Sequence, residues 1–175
     1  MALGRVPWPR WIVGWLVLSS LVVVWDIGFV LCRPASMAGG SWSWLWAPYS
    51  NYYRVDLAYG DLNNHWIRAQ TYGNIVEVIL NYSSVALHLS SSHQRQRLAD
   101  VLLMNVAMMT FWKTVLYWVI EACSSFENTR HNGPFDAIFI FIIPNSLWIL
   151  VPFLIISHMA QRFLHSPIEA ATKVE

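Results

Sequence analysis

Three ionisable residues stand inside long apolar runs: Asp26, Glu77 and Lys113. A charge in such a run is costly once desolvated, so these groups are expected to face one another, a cavity or a ligand. Two carboxyls and an amine at one level can do acid/base chemistry. One carboxyl held in its acid form donates a proton, the other accepts one, and the amine separates their behaviour by its charge. Amides accompany them. Gln70, Asn74, Glu77 and Asn81 recur at alternating steps of four and three, which keeps one helix face. Asn105, Met109, Lys113, Tyr117 and Glu121 recur every four residues, while Phe141, Asn145, Trp148 and Pro152 mix rings with an amide. Asn and Gln also serve simply to hold membrane helices together, and Asp26–Lys113 reads equally as a silent ion pair. Two carboxylates, a lysine and four amides at one depth exceed what that role needs, which favours a polar pocket.

The elements that must carry these residues are membrane spans. The chain of 175 residues is 56% hydrophobic and 12% charged, about half the charged fraction usual for a soluble domain. A net charge of +1 gives no footprint for nucleic acid. Crossing the hydrocarbon core takes about 20 mostly apolar residues. Four stretches qualify: 11–32, 67–89, 98–122 and 135–159, the second weakened by its own polar stripe. The expected fold is therefore all-α, a four-transmembrane-helix bundle with a polar intramembrane pocket, forming a single domain over 1–175. With a rise of about 1.5 Å per residue, Glu77 falls near mid-membrane and Asp26 and Lys113 within roughly two turns of it.

Arg5 and Arg10 precede the first run, which is too long for a cleavable signal and is read as a retained helix. The last residues, 171–175, show no retrieval or lipidation motif. Arg5, Arg10, Arg95, Arg97, Arg162 and Lys173 against Arg33, Arg54 and Arg130 predict both termini in the cytosol. Trp8, Trp11 and Trp15, and on the other side Trp42, Trp44, Trp46 and Trp66, are expected in interfacial belts. The Tyr49–Tyr59 segment with Asp56 either folds over the mouth of the pocket or packs as an ordinary loop. His88 and His158 do not suggest a metal. Cys32 and Cys123 fall near one face, as free thiols or as a disulfide.

Several segments resemble the EXPERA family, the group of the sterol Δ8–Δ7 isomerases (emopamil-binding proteins) and the sigma-2 receptor. The similar segments are Asp26-Ile27-Gly28-Phe29, Trp46-Ala47-Pro48-Tyr49 with Asp56 and Tyr59, Ile75-Val76-Glu77-Val78-Ile79, Leu116-Tyr117 with Glu121, and Asn145-Ser146-Leu147-Trp148 with Pro152. Their order and spacing, from about Trp25 to Pro152, carry the resemblance. The stretch from Cys32 to Gly40 is similar to fungal members, some in specialised-metabolite pathways. The resemblance implies four helices around a lipid-like ligand, with Asp26 and Glu77 as its acids and Asn145 and Trp148 meeting a bound amine or cation. The chain departs from it at Val22, where the isomerases have histidine, at Asp26, where they have glutamate, and at Lys113-Thr114, where they have Gly-Asp.

The expected function is a cofactor-free isomerase or cyclase in the endoplasmic reticulum membrane, acting on a hydrophobic sterol-, terpenoid- or polyketide-type substrate. Asp26, Glu77 and Lys113 are its candidate catalytic residues. Asn74, Asn81, Tyr117, Asn145 and Trp148 are its candidate substrate contacts. No metal and no cofactor are expected; the partners are the hydrophobic small molecule and membrane lipid, with room for a homodimer. The alternative is a non-catalytic binder of sterols or amphiphiles.

Overall fold

The computed structural model describes residues 7–165; Arg5, Lys173 and the tail 171–175 lie outside them. All regular structure among the described residues is helical. Helix α1 (Arg10–Leu31) follows Pro9, and a linker with a short 3₁₀ turn (Ser43–Trp46) leads to α2 (Tyr49–Val55) and α3 (Leu57–Gly60). Then come α4 (His65–His88), α5 (His93–Cys123) and the last helix α6, continuous over Pro134–His165. Asn64 caps α4 by accepting from the Ile67 amide at 3.0 Å. In α6, one α-helical turn at Pro134–Asp136 passes into a π-helical stretch, Ala137–Ile142, before α geometry resumes at Ile143.

Three helices, α1, α5 and α6, are long and apolar enough to cross a membrane. The long helices α1, α4, α5 and α6 pack in that spatial order, α4 against α1 and α5, and α5 against α6. The first and last helices close the bundle through side chains, including a Trp15–Trp148 edge contact at 5.5 Å. Leu18, Leu21, Ile79, Trp112, Leu150 and Phe153 turn outward and are exposed.

Two apolar clusters hold the ends of the bundle. One joins Ile12 and Leu16 to Leu103, Ala107, Ile155 and Met159. The other joins Phe29, Val30, Trp46, Tyr49, Val55, Ile67 and Phe141, drawing the linker onto the helices. Trp46 is central there and buried, its ring turned into the protein. Its ring lies so close to Gly28 that a Cβ would come within 2.8 Å of it, and its indole donates to the Trp25 carbonyl at 2.8 Å. Trp8 is likewise buried: it stacks on His88 and donates to Asp100 at 2.6 Å. Trp42 and Trp44 do project outward. Cys32 and Cys123 are free thiols.

Candidate functional site

Between the two clusters lies a cavity of about 560 Å³, within the size range of small-molecule sites. Helix α1 contributes Val22, Val23, Trp25 and Asp26, and α4 contributes Ile67, Gln70 and Asn74. Lys113, Thr114 and Tyr117 come from α5, and Phe139, Ile140, Pro144, Asn145 and Trp148 from α6. The linker supplies Pro48, Tyr49, Asn51, Tyr52 and Tyr59, so the tyrosine-rich segment closes one end of the cavity.

A hydrogen-bonded chain crosses the site. Tyr49 donates its hydroxyl to Asp26 Oδ1 at 2.7 Å, and Asn74 Nδ2 donates to Asp26 Oδ2 at 3.3 Å. The Asn74 carbonyl oxygen accepts from Lys113 Nζ, which also donates to Glu77 Oε2 at 2.7 Å. Gln70 holds the α5 backbone through the Lys113 carbonyl at 3.2 Å. The 4-3-4 spacing on α4 explains this: from Gln70 to Asn81 the helix makes about three whole turns, so the amides and the acid stay on one face. Asn74, Glu77 and Asn81 are all buried on it.

Six of the eight candidate residues line the cavity: Asp26, Asn74, Lys113, Tyr117, Asn145 and Trp148. Glu77 and Asn81 do not. Glu77 lies behind Lys113, its side chain 2% exposed, on a void of about 10 Å³ shared with Asn81, Ser19 and Thr110. Asn81 donates to Ser20 Oγ at 3.1 Å. Lys113 pairs with Glu77, and the expected Asp26–Lys113 pair is replaced by Asn74 standing between them. Asn145 orients neither carboxyl: its amide donates to the Phe141 carbonyl at 2.8 Å and the Tyr52 hydroxyl at 3.4 Å.

The α5 stripe also divides. Steps of four overshoot a 3.6-residue turn by about 40° each, so Asn105 and Glu121 end on nearly opposite faces. Asn105 is exposed and donates to the Val101 carbonyl. Glu121 is buried and accepts from Asn128 and Thr129, organising the loop before α6. Tyr117 gives its hydroxyl to Asp56, tying α5 to the start of α3.

The linker tyrosines are the residues that helical periodicity does not find. Burial pushes the Tyr49 and Tyr59 phenols up, the Asp26 carboxylate adding to it, and burial then Asp56 do the same at Tyr52. All three therefore keep their protons and act as donors. Asp56 is fully buried; desolvation raises its carboxyl to about 7 against the Tyr117 hydrogen bond, with Glu121 adding to the rise. The tyrosine-rich composition of 49–59 with Asp56, and the Trp46-x-x-Tyr49 spacing, are the signals in the sequence that point toward this segment.

Among the described residues no cluster of His, Cys, Asp and Glu could hold a metal ion. No family model matches the chain, and no curated protein matches it.

Proposed function

We propose that the chain is a four-span membrane protein whose cavity is the reaction site of a cofactor-free isomerase or cyclase for a hydrophobic sterol-, terpenoid- or polyketide-type substrate. The observation that carries this reading is Asp26: its carboxyl lines a largely apolar cavity, held by Tyr49 and Asn74. A fixed carboxyl against an apolar ligand is what proton transfer to and from carbon requires. Helix α4 is the fourth span in this reading. Its Val76 and Ile79 turn outward while its polar stripe turns in, which supports a membrane setting for a helix of low average hydropathy. Both termini then face the cytosol of an endoplasmic reticulum membrane, in line with the arginine distribution and the EXPERA resemblance.

In the mechanism, Asp26 in its acid form protonates an alkene, epoxide or enone. The faces of Trp148 and Tyr52 stabilise the developing cation. The carboxylate left at Asp26 takes a proton from the neighbouring carbon, so the same group ends protonated and the double bond has moved. In a cyclisation, an internal alkene attacks the cation before that proton leaves. Glu77, committed to Lys113, holds the lysine in place and does not meet substrate.

The test is conversion in microsomes of sterol-isomerase-deficient yeast expressing the chain. Sterols and added terpenoid or polyketide precursors are followed by chromatography and mass spectrometry. An isobaric product that vanishes in Asp26→Asn, at equal protein level, is the expected result; full turnover in that variant refutes the assignment.

One observation favours a second reading, a binder of amphiphilic amines or sterols. A single carboxylate, Asp26, lines the cavity, and the second acid is already neutralised by Lys113. An amine that co-purifies unchanged, with no product over time, is the outcome that supports it.

A further inference from the structure

The chain has nine arginines but only two lysines, Lys113 and Lys173. Lys173 lies in the tail beyond the described residues. The sole lysine of the bundle therefore lines the cavity. An ion-pair partner for Glu77 asks only for a permanent cation, and arginine, with its planar fork, serves a carboxylate better. Lysine differs in one chemical respect: it can give up its proton and become a nucleophile.

The surroundings of Lys113 suit that use. Of its three donors, one goes to Asn74 and one to Glu77. Its side chain remains 16% exposed, against 2% for Glu77 behind it, so the lysine side chain borders the cavity and the carboxylate does not. A base thus stands 2.7 Å from the nitrogen on the side away from the ligand space. Asp26 stands on the far side of Asn74.

We propose that Lys113 captures a ketone or aldehyde of the lipophilic substrate as an imine, which makes the substrate class a carbonyl compound. Glu77 removes one ammonium proton, and the freed nitrogen pair attacks the carbonyl carbon as the π pair moves to oxygen. A nitrogen proton passes to that oxygen, Glu77 returns its own proton to the nitrogen, and a second nitrogen proton passes to the hydroxyl as water leaves. The sum is ammonium, carboxylate and carbonyl giving iminium, carboxylate and one water, with no oxidant or reductant. The iminium takes the place of the opening protonation of substrate: it draws electrons from the adjacent C–H, Asp26 as the carboxylate takes that proton and, now the acid, returns it at the next position of the conjugated system. This deepens the isomerase reading and rests on the cavity being its substrate site.

The experiment uses the full chain carrying Lys173→Arg, in lipid nanodiscs, with β-ionone as an apolar enone and cyanoborohydride to reduce any imine. Peptide mass mapping then reads the adduct. The expected result is a secondary amine at Lys113, formed roughly 10²-fold more slowly in Glu77→Gln, where the base is gone. In Lys113→Arg the adduct at this position is absent. Unmodified Lys113, in protein whose near-ultraviolet signal shows it folded, overturns the proposal without needing any variant to fold. Conversion measured on the same sample separates the two readings. Turnover without trapping strikes the imine alone, and trapping without turnover supports the imine and strikes the isomerase.

Discussion

Replacing Lys113 by methionine removes the amine and leaves a stem of similar length, stranding Glu77. That carboxylate has 2% of its side chain exposed and no other ion-pair partner within 4.0 Å among the described residues. Removing one member of a buried pair costs about 3–5 kcal/mol, because the remaining charge is uncompensated. The reverse change, Glu77→Gln, is milder. Lys113 keeps its bond to Asn74 and its opening to the cavity, and the new amide still accepts from it. The expected cost is that of weakening one charge-assisted hydrogen bond, about 1–2 kcal/mol. The double variant Lys113→Met/Glu77→Leu removes both charges and should fall within about 1 kcal/mol of the parent, far below the sum of the singles. Equilibrium unfolding in detergent micelles, read by the near-ultraviolet signal of the eleven tryptophans, measures all three. Equal costs for the two single variants, or a Lys113→Met cost below about 1 kcal/mol, would refute the claim that Glu77 is desolvated behind the lysine.

Other expectations follow from single contacts. Tyr49→Phe removes the 2.7 Å donor to Asp26 and should lower turnover by roughly 10–10²-fold with little change in unfolding midpoint, measured in the microsome assay. Asp56 is raised from 3.8 to about 7, so the folded state holds its proton more tightly than the unfolded chain. Its contribution is present below about pH 4 and is lost as pH rises to about 7, up to roughly 4 kcal/mol; Asp56→Asn should flatten the thermal-unfolding profile over that range. Gly28→Val forces a side chain into the Trp46 ring and should cost about 1–3 kcal/mol in the same unfolding experiment, with increased quenching of tryptophan by acrylamide.

The long helices were legible because burial enforces periodicity. On α4 the alternating spacing of Gln70, Asn74, Glu77 and Asn81 identified the inward face, since any other phase would put those groups outward. On α5 the same reasoning overreached. An unbroken row of fours spirals around the helix, so Asn105 and Glu121 were grouped with Lys113 although they serve other surroundings. Partner choice within the polar layer was not legible either: sequence put Asp26, Glu77 and Lys113 at similar depth, but side-chain reach across α1, α4 and α5 decides that Asn74 separates the first from the third. The Tyr49–Tyr59 segment could be read as a cover for the pocket, but not which of its tyrosines meet Asp26, because short helices in a linker have too few turns to show a pattern. Their place is set by Trp46 packing on Gly28 and by Asp56 meeting Tyr117.

The π-helical stretch Ala137–Ile142 makes this region tolerant in length as well as in composition. Its Ile138 and Ile142 are exposed, so exchanges among large apolar residues at those positions disturb little. A π turn holds about one residue more than an α turn, so one residue fewer would let the stretch relax to α geometry with the parts on either side in nearly the same rotational register. Ahead of it, Asn132 is fastened to the Val55 carbonyl at 2.7 Å; behind it, Trp148 meets Trp15. Both attachments can survive that change, whereas a deletion in the α-helical turns that follow would rotate one against the other by about 100°. A single-residue deletion should therefore be borne within 137–142 and not beyond it, the reverse of what an α-helical span ordinarily tolerates.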